Sequence, residues 1–268
     1  MGFFLISGAG GQSFGGGSEG TVIFGPDDFS SYSTTESAAA TVTELVTTGP
    51  YDLLETELGT CRIEVWPLNG SLQCYSMEYT EDETTDKLHV VMPADMTHGK
   101  FEWDEVRSTG FDFSNTKDAR FPLFAEDNPG DTVDVDIYNS FVDETKTAGV
   151  DDSTHAGMFG QGASIAPGLD YIAYGAFDFQ RDTEYHVTVE IKANTPGSAD
   201  GIVSLTMLNK STMGSDTFED RAVKLSSDST AQCVIRRMQW GMAATTGGSG
   251  FAGTSKIYRR NLQVTRFA

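Results

Sequence analysis

The histidines, the acidic runs and the paired arginines are the residues of this chain whose types could do chemistry. His155 and His186 could each act as a base, but His186 sits in "EYHVTVEIK" (184–192) on the same alternation as Thr188 and Glu190, which is the pattern of an ordinary strand face. "TEDETTD" (80–86) holds carboxylates dense enough for Ca²⁺. It lacks the Asp-x-Asp-x-Asp-Gly spacing of a calcium loop, so a solvated turn and no metal are expected. "GAGGQSFGGG" (8–17) places Ser13 where a Gly-x-Gly-x-x-Gly fingerprint needs its third glycine, and no strand precedes it. No nucleotide cofactor is expected from it. Arg236-Arg237 and Arg259-Arg260 put one arginine on each face of their strands, with Asp134, Asp136 or Glu190 as expected partners. Trp103, Tyr171, Tyr174 and Trp240 could stack on sugar rings or fill a core.

The elements that must position these residues are mostly strands. Of the 268 residues, 11% are aromatic and 29 are glycine, and Thr/Val/Tyr runs recur, which favours strands and tight turns over long helices. The net charge is −21, placed unevenly: residues 221–268 carry eight Lys/Arg against Asp228 alone, so the first 220 residues hold −28. Such a surface repels nucleic acid and anionic lipid at long range, and neither is expected as a partner. No segment reaches the ~18 apolar residues of a membrane span.

Asn69-Gly70 predicts a two-residue type I′ turn between "CRIEVWPL" and "SLQCYSMEY". That turn sets residue 65 opposite 74, which leaves Cys61 out of register with Cys74, so no disulfide is expected; Cys233 reads as a small core residue. "KLHVVM", "DTVDVDIYNSFV", "EYHVTVEIK", "IVSLTML", "AVKL", "CVIRRMQWGM" and "KIYRRNLQVTRF" supply further strands, with polar loops between them. Their spacing predicts an all-β sandwich of two sheets, of jelly-roll type, with one short helix around Ser37 to Leu45.

The first 25 residues differ in kind. No Lys or Arg occurs before Arg62 and the apolar run Phe3-Phe4-Leu5-Ile6 stops after four residues, so a secretion signal is not expected. Ordering about 20 residues costs on the order of 20–40 kcal/mol. Burying Phe3, Phe4, Leu5, Ile6, Phe14, Val22, Ile23 and Phe24 returns roughly 12–24 kcal/mol. A strand-like arm laid along another subunit would add the missing backbone hydrogen bonds. The expected division is an extended docking arm over 1–25, an irregular connecting segment over 26–58 and a β-sandwich over 59–268.

Three stretches carry a family resemblance. "FEWDEVRSTGFDFSNTKDARFPLF" (101–124) is similar to the early strands of polysaccharide lyase family 14, with Arg120-Phe121-Pro122-Leu123-Phe124 in the place of a Leu-Pro-Gly-Leu-type turn. "EYHVTVEIKANTPGSADGIVSL" (184–205) resembles that family's Asn-Thr-Pro-Gly…Asp-Gly hairpin, and "WGMAATTGGSGFAGTSKIYRRNLQV" (240–264) its closing strands. The resemblance covers roughly residues 88–268 and implies a concanavalin-like jelly roll.

It also implies a chemistry. β-Elimination from a uronate needs a cation for the carboxylate, a base for the C5 proton and an acid for the leaving oxygen. By resemblance these roles would fall to Lys117, Arg120, Tyr171 and Tyr174. The arginine that the family's pattern puts in the strand before the tyrosines is missing, since none occurs between Arg120 and Arg181. The expectation is therefore a lyase-like scaffold without catalysis. It would be a structural protein of a tailed-phage particle, a capsid decoration (cement) or fibre protein made in the host cytoplasm, docked through its arm on other virion proteins or further copies of itself. The alternative is a carbohydrate-active protein, either an anionic-polysaccharide lyase or a sugar-binding attachment domain.

Overall fold

The computed structural model describes residues 20–56, 60–79, 85–111, 116–125, 135–143, 154–162, 170–177, 179–225, 232–244 and 255–268. In chain order the elements are β1 (Thr21–Asp27), α1 (Ala38–Thr48), β2 (Tyr51–Thr56), β3 (Thr60–Val65), β4 (Gln73–Tyr79), β5 (Thr85–Met96), β6 (His98–Arg107) and β7 (Thr116–Ala125). They continue with β8 (Val135–Asp143), β9 (Thr154–Gly162), β10 (Asp170–Ala176), β11 (Tyr185–Lys192), β12 (Gly201–Asn209), β13 (Ser215–Val223), β14 (Cys233–Ala244) and β15 (Ser255–Arg266). Two antiparallel sheets result. The eight-stranded sheet runs β13-β12-β11-β6-β15-β4-β3, with β1 also on β15; the seven-stranded sheet runs β10-β9-β8-β7-β14-β5-β2. This is the expected all-β jelly-roll sandwich.

Alternation builds the core. Along β11, Tyr185, Val187, Val189 and Ile191 are buried while His186, Thr188, Glu190 and Lys192 are half-exposed. From the opposite sheet Leu88, Val90, Phe121, Leu123, Ile137, Met158, Met238 and Trp240 face them. Trp240 is central: its ring lies 6.3 Å from Phe29, 6.2 Å from Tyr75 and 6.1 Å from Trp103.

Two guanidinium groups share this apolar layer. Arg107, Arg259 and Glu105 are all fully buried. Glu105 accepts from Arg107 Nη2 at 3.0 Å, from Arg259 Nε at 3.3 Å and from the Trp103 indole N–H at 2.9 Å. Arg107 sits 4.7 Å from the Phe111 ring and 4.8 Å from Phe179, and Arg259 lies against Trp103 and Trp240. Burial opposes the Glu105 charge, yet the two arginines hold its carboxyl below the usual range. Arg259 was expected to pair with Asp134, Asp136 or Glu190. It cannot reach Glu190, because β6 lies between β15 and β11 and places Glu105 directly opposite Arg259.

The amino-terminal divisions need correction. Phe3, Phe4, Leu5, Ile6 and Phe14 lie outside the described residues. Val22, Ile23 and Phe24 belong to β1, which pairs antiparallel with β15 of the same chain, occupying the edge of β15 that β4 vacates after Arg259. Ile23 and Phe24 pack against the chain's own core. Gly25 allows the close passage: its φ is +74°, and a Cβ there would run into the Leu262 carbonyl oxygen.

Nor is the described part of 26–58, residues 26–56, an irregular connector. Phe29 is fully buried in the core, held at φ +62° by its N–H donating to Asp27 Oδ1 at 2.9 Å. Asp27 Oδ2 accepts from the Tyr32 and Tyr51 hydroxyls at 2.9 and 2.8 Å. Burial and that carboxylate together raise both phenols well above their ordinary range. Helix α1 is capped by Ser37, whose side chain accepts from Ala40 N, and β2 pairs with β5. The segment reads as turn chemistry in sequence because its few apolar residues make tertiary contacts with no local periodicity.

The β3–β4 hairpin exists with a different turn. Val65 pairs with Gln73 and Glu64 with Cys74, closed by two successive turns over 66–72. Trp66 is buried against Cys74 and Val106 in a small cluster apart from the sandwich core, and folding it back over that face of the sheet takes more chain than a two-residue turn supplies. All three cysteines are buried thiols outside any disulfide.

The buried ion network predicts a large loss on truncating its shared acid. Glu105→Gln should cost about 3–5 kcal/mol in urea unfolding, since it removes a charge that two buried guanidinium groups share. A cost under about 1 kcal/mol would contradict this account of the core.

Candidate functional site

Strand β14 carries the site outward from the core. Met238 and Trp240 point inward, so Gln239 lies on the outer face of the seven-stranded sheet, although it is 3% exposed. It pairs with His89 of β5 on one side and Arg120 of β7 on the other. Arg120 Nη1 donates to Gln239 Oε1 at 3.0 Å, and Gln239 Nε2 lies 3.0 Å from His89 Nε2. Because the guanidinium can only donate, it fixes the amide oxygen toward itself and turns the amide NH₂ toward His89. His89 Nε2 is then the acceptor of that bond. The imidazole, the amide and the guanidinium form one hydrogen-bonded line across three strands.

The register extends this line. Arg120 stands opposite Tyr138, Tyr138 opposite Phe159 and Phe159 opposite Tyr171. A neighbouring row runs Lys117, Ser140, Gly157, Tyr174. Bulges between Lys117 and Ala119 and between Tyr171 and Ala173 offset the strict alternation, so positions three apart in sequence fall on adjacent rows of one face. Lys117, Arg120, Tyr171 and Tyr174 thus occupy two adjacent rows of a single sheet. Tyr138 and Phe159 of these rows were not singled out in sequence, and neither was His89 or Gln239.

A third bulge sets two more arginines. Between Ile235 and Gln239, β14 has three residues opposite Phe121 and Pro122. Pro122 has no N–H for the ladder, and a bulge opposite it is where a sheet tolerates proline. Arg120 to Phe124 therefore form continuous strand, where the family resemblance implied a turn. The bulge also removes the expected split of Arg236 and Arg237 between faces: both guanidinium groups lie over the Phe124 ring, at 5.4 and 5.3 Å, while Ile235 and Met238 are core. Arg236 Nε also reaches Asp95 at 3.2 Å. This face consequently gathers Arg120, Arg236 and Arg237, whose planar guanidinium groups can pair with a carboxylate through two parallel N–H bonds.

The outer face of the other sheet has its own polar cluster. His186 stands opposite Asp104, and its Nδ1 donates to Asp104 Oδ1 at 2.8 Å. Asp104 Oδ2 accepts from Lys210 Nζ at 3.1 Å and Asn261 Nδ2 at 2.6 Å. Lys210 also pairs with Glu184, and Glu102 Oε1 lies 3.8 Å from His186 Nε2. The alternation with Thr188 and Glu190 was legible in sequence; the acids of β6 beside His186 were not, because they depend on strand order. Asp104 and Glu102 raise His186 to about 9 against the opposing effect of burial. Among the described residues no group of three or more His, Cys, Asp or Glu could hold a metal ion.

The pH dependence follows from the direction of that shift. A folded-state value near 9 against an ordinary 6.5 means that the stabilisation by His186 is fully present below about pH 6.5 and is lost as pH rises through about 9. The urea midpoint should therefore fall across this window in the native chain and stay flatter in His186→Gln. Equal slopes in the two proteins would refute the coupling.

No family model and no curated protein matches this chain. Solved structures do. A marine PL-14 alginate lyase from Aplysia kurodai superposes with a TM-score of 0.60 at 13% identity, over 92% of this chain and 99% of that one. The alginate lyase Aly36B gives 0.58 at 15% identity, over 94% and 98%. An alginate lyase from Chlorella virus gives 0.57 at 13% identity, over 88% and 99%. The fold of this chain is a jelly roll similar to that of PL-14 alginate lyases.

Proposed function

We propose that this chain is a carbohydrate-engaging jelly roll whose ligand is an acidic polysaccharide, received on the outer face of the seven-stranded sheet. The observation that carries the reading is the convergence of Arg120, Arg236 and Arg237 on that face, with Arg120 oriented through Gln239 and His89. A guanidinium held in a fixed plane suits a planar carboxylate. Solved structures similar in fold include lyases of alginate, an acidic polymer, which supports this ligand class. The chain's net charge of −21 opposes the approach of a polyanion, but at 0.1 M salt screening confines such repulsion to about 10 Å, so the arginines act at contact range.

Binding without turnover is the form of the proposal. β9 reads THAGMFGQG and places neither Lys nor Arg beside the tyrosines of β10, so among the described residues the transition-state cation of an elimination would have to come from Lys117 or the arginines of β7 and β14. In this reading the domain is displayed on a virus particle as a decoration or fibre protein. The apolar leader ahead of β1 docks on a neighbouring virion protein, and the sandwich faces host or environmental polysaccharide.

Affinity electrophoresis through alginate tests the ligand. The native chain should be retarded, and Arg120→Ala should weaken retention about tenfold or more, as loss of a charge-assisted bidentate contact implies. Retention unchanged in Arg120→Ala would remove the site from this face. Ultraviolet absorbance from unsaturated uronate, lost in the same variant, would make the protein a lyase instead. Removing residues 2–19, short of β1, should leave the sandwich folded and abolish particle incorporation; continued incorporation would end the docking role.

A further inference from the structure

The His186 cluster borders a cavity of about 390 Å³ on the outer face of the eight-stranded sheet, opposite the arginine face. That is a size at which small ligands are held. One wall is polar, made by Glu102, Asp104, His186 and Lys210 with the amides of Asn261 and Gln263. The other is apolar, made by Pro26, Leu208 and Met213.

What the polar wall has already spent decides the ligand. Both Asp104 oxygens are occupied, by His186 and by Lys210 with Asn261. Glu102 Oε2 takes Lys100 at 3.0 Å and Gln263 at 3.3 Å. A metal ion would have to displace these donors. An anion would meet Glu102, Asp104 and, beside Lys210, Glu184. The unspent groups are of both kinds. Among the described residues the side-chain amide oxygens of Asn261 and Gln263 accept no hydrogen bond, Lys210 has a third N–H beyond Asp104 and Glu184, and His186 Nε2 stands 3.8 Å from Glu102. A ligand that donates and accepts at neighbouring atoms, carries no charge and has an apolar side satisfies this lining.

We propose that this cavity binds a neutral pyranose sugar, its hydroxyls on Asn261, Gln263, His186 and Lys210 and its C–H face against Leu208 and Met213. The site is independent of the arginine face, and a chain with both would hold an acidic polymer on one sheet and an uncharged sugar on the other.

Met213 offers a clean test. It has φ +60° and is 69% exposed, so Met213→Gly removes its part of the apolar wall at a backbone position glycine favours. The probes are the methyl glycosides of glucose, galactose and mannose, with glucuronate as the acidic control, titrated at pH 7 into the full chain with methyl-labelled methionine. At least one neutral glycoside should shift the Met213 methyl resonance saturably, and glucuronate should not. By calorimetry Met213→Gly should weaken that affinity about tenfold without lowering the unfolding temperature. Arg120→Ala should leave it unchanged, whether or not that variant loses alginate. The proposal is overturned if no neutral glycoside moves Met213, if glucuronate moves it equally, or if Met213→Gly binds as the native chain does.

Discussion

The carboxylate of Glu105, buried between Arg107 and Arg259, is the interaction on which the rest of the molecule depends. A lone guanidinium in an apolar layer would be untenable, so β6 and β15 must meet in the register that sets Glu105 opposite Arg259. Arg259 in turn lies against Trp240, which fixes β14 from the inside. The next residue outward is Gln239, the link between His89 and Arg120. Strand alternation thus carries an electrostatic demand in the core to the geometry of the outer face.

The bulges turn a sheet into a site. An uninterrupted β7 would separate Lys117 from Arg120 by face, and an uninterrupted β14 would divide Arg236 from Arg237. Each added residue offsets the two-residue period, and the outcome is three arginines and two tyrosine positions on one side of one sheet. Phe121 and Leu123 of β7 and Ile235, Met238 and Trp240 of β14 still face the sandwich interior, so the core and the arginine surface are built together.

Most strands were legible because alternation is local. β11 and β12, the β3–β4 pair and the helix near Ser37 follow from period and capping, and the jelly-roll class follows from their spacing. Whatever depends on which strands become neighbours was not legible. Arg259 finds Glu105 because β6 intervenes before β11, and His186 finds Asp104 for the same reason. Val22 to Phe24 read as part of a foreign-docking arm, yet they take the vacant edge of the chain's own β15. The seven-residue reach of 66–72 is set by where Trp66 must go, which no turn signal records. Of the site, Arg120, Lys117, Tyr171 and Tyr174 were named through a family resemblance, whereas Gln239 and His89 are visible only once β5, β14 and β7 lie side by side.

The central claim is that the arginine-bearing outer face of the seven-stranded sheet receives an acidic polymer. Amide hydrogen exchange of the native chain with and without a short mannuronate oligomer addresses it directly. Slowed exchange on β7 and β14 around Arg120 and Gln239, with β11 and β12 unaffected, is the result this account predicts. Protection confined to the eight-stranded sheet, or exchange unaltered everywhere at saturating oligomer, would contradict it.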